Sequence, residues 1–254
     1  MINNILGNMP PVVKNLLLLN VIMYVITYLG QAQGIPMTRL LGGYVFNSPY
    51  FEPYQMVSHF FMHGGLFHIF FNMFALVIFG SVLERVWGPK RFFIFYIATA
   101  LGAFVLHQLV GYFEVKSIEA ELYAAGYNDL FELREKIMQM NSGLIDNFSI
   151  VPGTDSLVQS YMHGISIPVV GASGAVYGIL VGFAYLFPNT QLMLLFPPIP
   201  VKAKWLVLFL VGIAVVNSFQ DRPGDNIAHL AHLGGALVGF IIVLFWQKST
   251  DRFY

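Results

Sequence analysis

Residues 171–187 read GASGAVYGILVGFAYLF, a serine set among small residues and followed by an uninterrupted apolar run. From Ser173 to Phe187 the run has 15 residues, which as an α-helix is about 22 Å long. Crossing a hydrocarbon core takes about 20 residues. The sequence therefore predicts a short membrane-spanning helix whose first turn, with Ser173, is open to water from one side.

The composition of the whole chain is that of a membrane protein. Of its 254 residues, 57% are hydrophobic and 10% are charged, whereas soluble domains carry about 25% charged residues. The formal net charge is zero, which argues against a nucleic-acid partner. The chain has no cysteine, so disulfide and thiolate chemistry are excluded.

Apolar runs predict an all-α, polytopic membrane protein with six transmembrane helices. They lie near residues 12–31, 68–86, 91–112, 169–187, 203–219 and 229–247. The first run lacks a small-residue cleavage site after it, so we expect it to be retained as a span. We expect residues 1–254 to form a single membrane domain.

The lysines and arginines predict an orientation. With the N-terminus inside, one side of the membrane carries eight of them: Lys14, Arg85, Lys90, Arg91, Lys202, Lys204, Lys248 and Arg252. The short loops of the other side carry only Arg39 and Arg222. By the positive-inside rule both termini are cytoplasmic. Because we see no transit peptide, we expect a bacterial plasma membrane.

Two stretches between the spans differ from the rest. Residues 32–67 are apolar but rich in Gly, Pro and aromatic residues, which suits a segment lying at the membrane interface. Residues 114–165 carry eight acidic and three basic residues, and we expect an extracytoplasmic insertion between the third and fourth spans. Its apolar residues step by three and four, at Leu130, Leu133, Ile137 and Met140, which predicts an amphipathic helix. It is either a solvated surface insertion or a regulatory element.

Polar side chains inside spans are costly and each needs a reason. His68 and Asn72 lie in the second predicted span, Ser173 in the fourth and His232 in the sixth. All four are near the start of even-numbered spans, which enter the membrane from the same side. We therefore expect them to share one layer of the membrane.

Serine needs a base to take its proton, and the imidazole of His232 is suited to that task. The fourth and sixth predicted spans contain no carboxylate, so we expect a catalytic dyad. The oxyanion formed on attack needs fixed donors. Backbone N–H groups at the start of the Ser173 helix qualify, as do His68 and Asn72, which share a helix face. Gly171 and Gly174 would allow close backbone approach, and Tyr177 could pack against the imidazole.

Other interpretations stay open. Gly235 and Gly239 have the spacing of helix-packing glycines, here between the sixth and fourth spans. A metal site is the main rival for the histidines, because His59, His63 and His68 are closely spaced, as are His229 and His232. No His-Glu-x-x-His motif occurs, however, and we expect neither metal nor cofactor. A proton-relaying transporter is a further alternative, although no repeat of the spans is evident.

The combined motifs resemble those of the rhomboid intramembrane serine proteases. They are Gly171-Ala172-Ser173-Gly174 with Tyr177, His68-x-x-x-Asn72, and Ala231-His232 followed by Gly235 and Gly239. The likeness covers nearly all of the chain except 114–165. It implies a compact six-helix bundle with a water-filled cavity that opens to the non-cytoplasmic side. It also implies cleavage of transmembrane protein substrates in the lipid bilayer, within or beside their membrane-spanning segments.

The resemblance also implies roles for single residues. Ser173 would be the nucleophile and His232 the general base, with Tyr177 stacked beneath it. His68, Asn72 and the backbone N–H of Ser173 would form the oxyanion hole. The alternative within the same family is a non-catalytic adaptor that binds transmembrane segments, although such relatives typically lack the serine or the histidine. One departure is Tyr54-Gln55, where many relatives have Trp-Arg, which leaves open how this loop is anchored.

Overall fold

The computed structural model describes residues 8–193, 198–218 and 225–250, without the side chains of 225–228 and 248–250. Arg222, Arg252, the last residue of the predicted fifth span and both ends of the predicted 1–254 domain lie outside the described residues. So does the side chain of Lys248.

The described chain is mostly helical. In order, its α-helices are α1 (Pro11–Ala32), α2 (Met37–Leu41), α3 (Gln55–Ser58), α4 (Leu66–Ala75), α5 (Ser81–Trp87), α6 (Pro89–Ala124), α7 (Leu130–Asn141), α8 (Asp155–Ser166), α9 (Ser173–Leu186), α10 (Ala203–Ser218) and α11 (Asp225–Thr250). A 3₁₀ turn, His59–Phe61, follows α3, and a π-helical turn, Leu76–Gly80, joins α4 to α5. Strands β1 (Gln191–Met193) and β2 (Pro200–Lys202) pair antiparallel before α10.

Four described stretches are long and apolar enough to cross a membrane: Pro11–Ala32, Leu66–Trp87, Pro89–Ala124 and His229–Gln247. The apolar helices α9 and α10 are shorter, with 14 and 16 residues. The prediction of an all-α membrane protein is confirmed. The count of six spanning helices stays a prediction, because length alone does not establish α9 and α10 as spans.

Helix α9 lies in the core of the bundle. Nine of its 14 residues are buried, as expected for a helix that is apolar all round. Its glycines let α6 approach closely, since a Cβ added to Gly178 would lie 2.5 Å from Cγ2 of Thr99. Ile179 is fully buried in the same cluster as Leu76 and Phe92.

The end of the bundle away from Ser173 is fastened by a buried carboxylate. Glu84 is 2% exposed and accepts hydrogen bonds from the backbone N–H groups of Val12, at 2.9 Å, and Val13, at 2.8 Å. A carboxylate at a helix N-terminus is stabilised by the helix dipole and by the unpaired N–H groups. Trp87 and Trp246 meet edge to face, with ring centroids 5.2 Å apart. The start of α1, the α5–α6 junction and the end of α11 therefore share one end.

Residues 114–165, which we call the cap, have a small apolar core of their own. Helix α6 runs unbroken to Ala124, so the predicted end of the third span at residue 112 marks the end of the apolar run and not of the helix. The predicted amphipathic helix is α7, and its residues Leu130, Leu133 and Ile137 are buried. They pack in one cluster with residues of α8 and of the α6 extension.

An ionic cluster fastens α7 and α8 to α6. Glu119 is 6% exposed and forms ion pairs with Lys116, at 2.8 Å, and with Arg134. The hydroxyl of Tyr161 donates to the same carboxylate at 3.2 Å. Burial raises the pKa of Tyr161 to about 12, so its hydroxyl stays protonated near neutral pH.

Candidate active site

Ser173 and His232 meet in the interior of the bundle. Ser173 is the first residue of α9, and His232 lies two turns into α11. Nε2 of His232 is 2.8 Å from Oγ of Ser173, within hydrogen-bond distance. Helix α11 begins at Asp225, ahead of the predicted span start at residue 229.

The His232 ring is held by stacking. Its centroid is 4.5 Å from that of Tyr177, and the two rings are nearly parallel, with 4° between their planes. Tyr177 follows Ser173 by one helical turn, so α9 supplies both the hydroxyl and the platform. Among the residues that the structure describes, Nδ1 of His232 has no hydrogen-bond partner, so no third residue orients the imidazole there.

Glycines bring α11 against α9. A Cβ added to Gly235 would overlap the carbonyl group of Gly174, and one added to Gly239 would lie 2.8 Å from Cα of Gly178. A Cβ on Gly174 would overlap Ala103 of α6. The backbones are therefore in direct contact at these positions, which sets the separation of the helices that carry Ser173 and His232.

His68 faces the serine across Gly171. A Cβ on Gly171 would lie 2.7 Å from Nε2 of His68 and 3.6 Å from Oγ of Ser173, so both side chains border the space that this glycine leaves open. Nδ1 of His68 accepts a long hydrogen bond, 3.4 Å, from the backbone N–H of Gly64. That assignment places the ring proton on Nε2, on the side of the serine.

Asn72 is placed differently. It is 5% exposed, and its Nδ2 donates to the backbone oxygen of His68 at 3.0 Å. It is not among the residues that line the cavity at Ser173. Its amide in this conformation fastens the start of α4 and has one further N–H available.

The loop before α9 is fixed by distant segments. Gly43 and Val169 form a two-way backbone bridge, with both hydrogen bonds 2.9 Å long. The N–H of Gly171 donates to the backbone oxygen of His59 at 3.0 Å. Gly171 has φ +125°, a conformation that favours glycine. The chain thus reaches Ser173 along a path set by the segment between α1 and α4.

A cavity of about 300 Å³ opens at the serine. Its walls include Ser173, His232 and His68, as well as His59, His107 and His229. His107 was not predicted to lie here, and the signal that could have found it is a histidine within the apolar third run. Side chains from five separate parts of the chain thus converge on one space.

The family model described as Rhomboid domain matches residues 50–125 and 139–249. The chain belongs to the rhomboid family. Rhomboid-family membrane proteins act on transmembrane substrates within the bilayer. With its apolar helices, this rhomboid is an integral membrane protein, and the predicted family resemblance is confirmed.

Several curated proteins are similar to this rhomboid. "Rhomboid protein 1, mitochondrial" of Saccharomyces cerevisiae is 25% identical over 198 residues, which cover 78% of this chain and 43% of the relative. "RHOMBOID-like protein 12, mitochondrial" of Arabidopsis thaliana is 28% identical over 79% of this chain and 48% of its own length. The chain thus spans about half the length of these two relatives. "Putative rhomboid protease YdcA" of Bacillus subtilis is 25% identical over 96% of this chain and 92% of its own.

His59 of the rhomboid has structural contacts. Nδ1 of His59 is 2.7 Å from the backbone oxygen of Gln55, and its ring stacks on Phe104. Burial lowers the pKa of His59 and that of His63 to about 4, so both are neutral near pH 7. The described residues contain no group of three His, Cys, Asp or Glu side chains that could hold a metal ion.

The loop with Tyr54-Gln55 is anchored without the Trp-Arg pair of many rhomboids. The hydroxyl of Tyr54 donates to the backbone oxygen of Leu40 at 3.0 Å. Gln55 is buried, and its Nε2 donates to the backbone oxygens of Leu40 and Tyr50 while its Oε1 accepts from the N–H of Glu52. The side-chain amide therefore ties three points of the loop together.

Proposed function

We propose that this rhomboid is an intramembrane serine endopeptidase that hydrolyses peptide bonds in or next to transmembrane segments of membrane proteins. The observation that carries the proposal is the 2.8 Å contact between Oγ of Ser173 and Nε2 of His232. A nucleophile and a base at this distance form the minimal unit for acyl transfer. The stacked Tyr177 and the histidine-lined cavity support the assignment.

In the first step Oγ of Ser173 attacks the carbonyl carbon of the scissile peptide, and Nε2 of His232 accepts the hydroxyl proton. The tetrahedral intermediate then breaks its C–N bond, and His232 returns the proton to the leaving amine. Water attacks the resulting ester with His232 again as base, and Ser173 is regenerated. The dyad needs no metal or cofactor for these steps.

The start of α9 supplies donors for the oxyanion. Among the described residues no side chain caps this helix, and the first N–H groups of a helix have no intrahelical acceptor. The N–H of Ser173 and Nε2–H of His68 therefore serve as the principal donors. We assign Asn72 to the same oxyanion hole through its remaining N–H, and Gly171, Gly174, Gly235 and Gly239 to holding the backbones in place.

We further propose that residues 1–254 act as a single membrane domain, with both termini cytoplasmic and the site open to the opposite side. The distribution of lysine and arginine supports this orientation. A bacterial plasma membrane is our proposal for the location, because the Bacillus relative aligns over almost the full length of both chains.

The cap, residues 114–165, is assigned a role in selecting substrates. Helix α8 ends at Ser166, directly before the loop that leads to Ser173, so the cap borders the approach to the site. Replacing it with a short Gly/Ser bridge should change the substrate range or the cleavage rate. Unchanged cleavage of several different substrates would contradict this role.

The test of the protease is co-expression with a panel of tagged single-pass membrane proteins. Wild type should release fragments that Ser173→Ala and His232→Ala do not, with a rate loss of about a thousandfold or more because the dyad acts as a unit. Ser218→Ala is a matched control, since that hydroxyl donates to the backbone oxygen of Val215 in its own helix. A fluorophosphonate should label Ser173 only when His232 is present. Equal fragments from wild type and Ser173→Ala would refute the proposal, and capture of substrates by both without cleavage would indicate an adaptor.

A further inference from the structure

A second cavity, of about 520 Å³, borders the loop that leads to the nucleophile. Ile167 and Pro168 line this cavity, while the next three residues of the loop, 169–171, line the cavity at Ser173. The other walls come from the end of α1, from α2, from Tyr44 and Tyr50 in the loop before α3, and from the ends of α7 and α8. One short stretch of backbone, residues 167–171, therefore forms part of the wall of both cavities.

Arg39 supplies the positive charge of this cavity. Its guanidinium carbon lies 4.5 Å from the centre of the Tyr50 ring, and Nη1 makes a long hydrogen bond, 3.4 Å, to the backbone oxygen of Asn141. None of the lining residues is acidic, and among the described residues Arg39 has no carboxylate partner. Stacking on the tyrosine orients the planar group while most of its five N–H donors remain available.

Further donors surround the same space. Oγ1 of Thr38 accepts from Gln31 at 3.1 Å and Oγ of Ser166 accepts from Asn141 at 3.0 Å, so each hydroxyl proton is free to be donated. Nδ1 of His163 is buried without a hydrogen-bond partner among the described residues. An arginine with several hydroxyl donors and no acid is the donor set that binds a carboxylate.

We propose that this cavity binds the carboxylate of an Asp or Glu in the substrate, on the side of the cleaved bond that lies outside the membrane. The inference rests on the proposed protease function and names a determinant of its specificity. Pro168 precedes Ser173 by five residues, which as extended chain spans at most about 17 Å. The acidic residue should therefore lie within about five positions of the cleaved bond. A peptide fits better than a lipid headgroup, because a substrate bound at Ser173 would continue past residues 169–171 towards the wall formed by Ile167 and Pro168.

The test uses a single-pass protein that wild type cleaves, made with Glu or Gln at each of the positions next to the cleaved bond on the outer side. The full-length protease is reconstituted in phosphatidylcholine vesicles and kcat/KM is measured for each pair. We expect Glu to be preferred over Gln by roughly three- to tenfold at one or two positions. Arg39→Gln should bring that ratio to about one, and Arg39→Glu should favour Lys at the same position. Arg85→Gln, at the other end of the bundle, is the matched control and should keep the wild-type ratio.

Several results would overturn the inference. One is a ratio near one at every position with wild type, and another is a ratio that Arg39→Gln does not change. A loss with Arg39→Gln that is equal for both substrates, and occurs only when phosphatidylglycerol is added, would assign the cavity to a lipid headgroup. If no substrate is cleaved, the protease proposal fails by itself. The cavity is then tested with Ser173→Ala protein and fluorescent Glu and Gln peptides, where equal binding of both would refute it.

Discussion

Gly235 is the position where a single methyl group should separate the dyad. A Cβ built there would lie about 1 Å closer to the carbonyl oxygen of Gly174 than the 3.0 Å that real Cβ atoms keep. The obstacle is backbone and not the end of a flexible side chain, so Gly235→Ala requires α11 and α9 to move apart by about 1 Å. Overpacking of this kind costs about 1–3 kcal/mol of stability.

The displacement acts directly on the proposed chemistry. His232 precedes Gly235 by three residues and shares its helix face, so it moves with the same turn. A separation of about 1 Å takes the contact between Ser173 and His232 from 2.8 Å beyond hydrogen-bond distance. Misplacement by about 1 Å can cost about a hundredfold in rate, and that is the loss in kcat we expect.

The chain provides two graded controls for this experiment. In Gly239→Ala the new Cβ lies 2.8 Å from Cα of Gly178, so a much smaller shift suffices, and in Gly212→Ala on α10 it meets no atom of the described residues within 4 Å. Initial rates on one substrate and melting temperatures should therefore be highest for Gly212→Ala, lower for Gly239→Ala and lowest for Gly235→Ala. If Gly235→Ala keeps the wild-type rate and melting temperature, the glycine contacts do not set the dyad distance.

Three further perturbations test other parts of the structure. Gly171→Ala adds a Cβ 2.7 Å from Nε2 of His68 at a backbone φ of +125°, so kcat should fall about tenfold or more, and a rate equal to that of wild type would contradict the placement of His68. Glu119→Gln weakens both ion pairs of a buried carboxylate. The free energy of local opening of α7 and α8 should therefore fall by about 1–2 kcal/mol, measured as faster hydrogen exchange. The exposed Glu132→Gln should have no such effect. Because the pKa of buried His59 is lowered to about 4 from 6.5, the unfolded state binds the proton first as pH falls through this window. His59 alone should therefore lower stability by up to about 3 kcal/mol between pH 6.5 and 4. In melting experiments His59→Phe should remove that share of the pH dependence, while the share of His63, whose pKa is also about 4, remains.

The helices and the partners of the dyad could be predicted because their signals are local. An apolar run of fixed length predicts a span, and glycine, alanine and serine before such a run mark where α9 begins. The side from which each span enters the membrane then follows from its place in the order of the spans. In this way Ser173, His232 and His68 could be expected in one layer of the membrane without any knowledge of tertiary contacts.

The extent of α6 could not be predicted from hydropathy. Its apolar run ends near residue 112, where Glu114 and Lys116 follow, but the helix continues to Ala124. The extension persists because Val115 and Leu122 are buried against α7 and α8, a tertiary effect that a window of hydropathy does not register. Burial against these two helices thus overrides the polar signal that would end a membrane span.

The path of the loop before Ser173 also lay beyond sequence reasoning. Gly43 and Val169 are 126 positions apart, and neither has a local pattern that predicts their pairing. Asn72 shows a related limit, because spacing placed it on the face of His68 but could not reveal that its amide bonds the backbone of its own helix. Side-chain direction depends on the packed environment, which the pattern does not contain.

The position of Ser173 therefore depends on three separate parts of the chain. Helix α8 of the cap leads into the loop, Gly43 pairs with it, and the backbone oxygen of His59 holds Gly171 one residue before the turn into α9. A helix terminus alone would leave Ser173 free to fray, whereas these contacts fix the chain immediately before it. Because the cavity with Arg39 uses the same loop as its wall, a ligand bound there would press on the backbone that positions the serine. If both proposals hold, substrate binding in this cavity and the alignment of Ser173 are linked through residues 167–171.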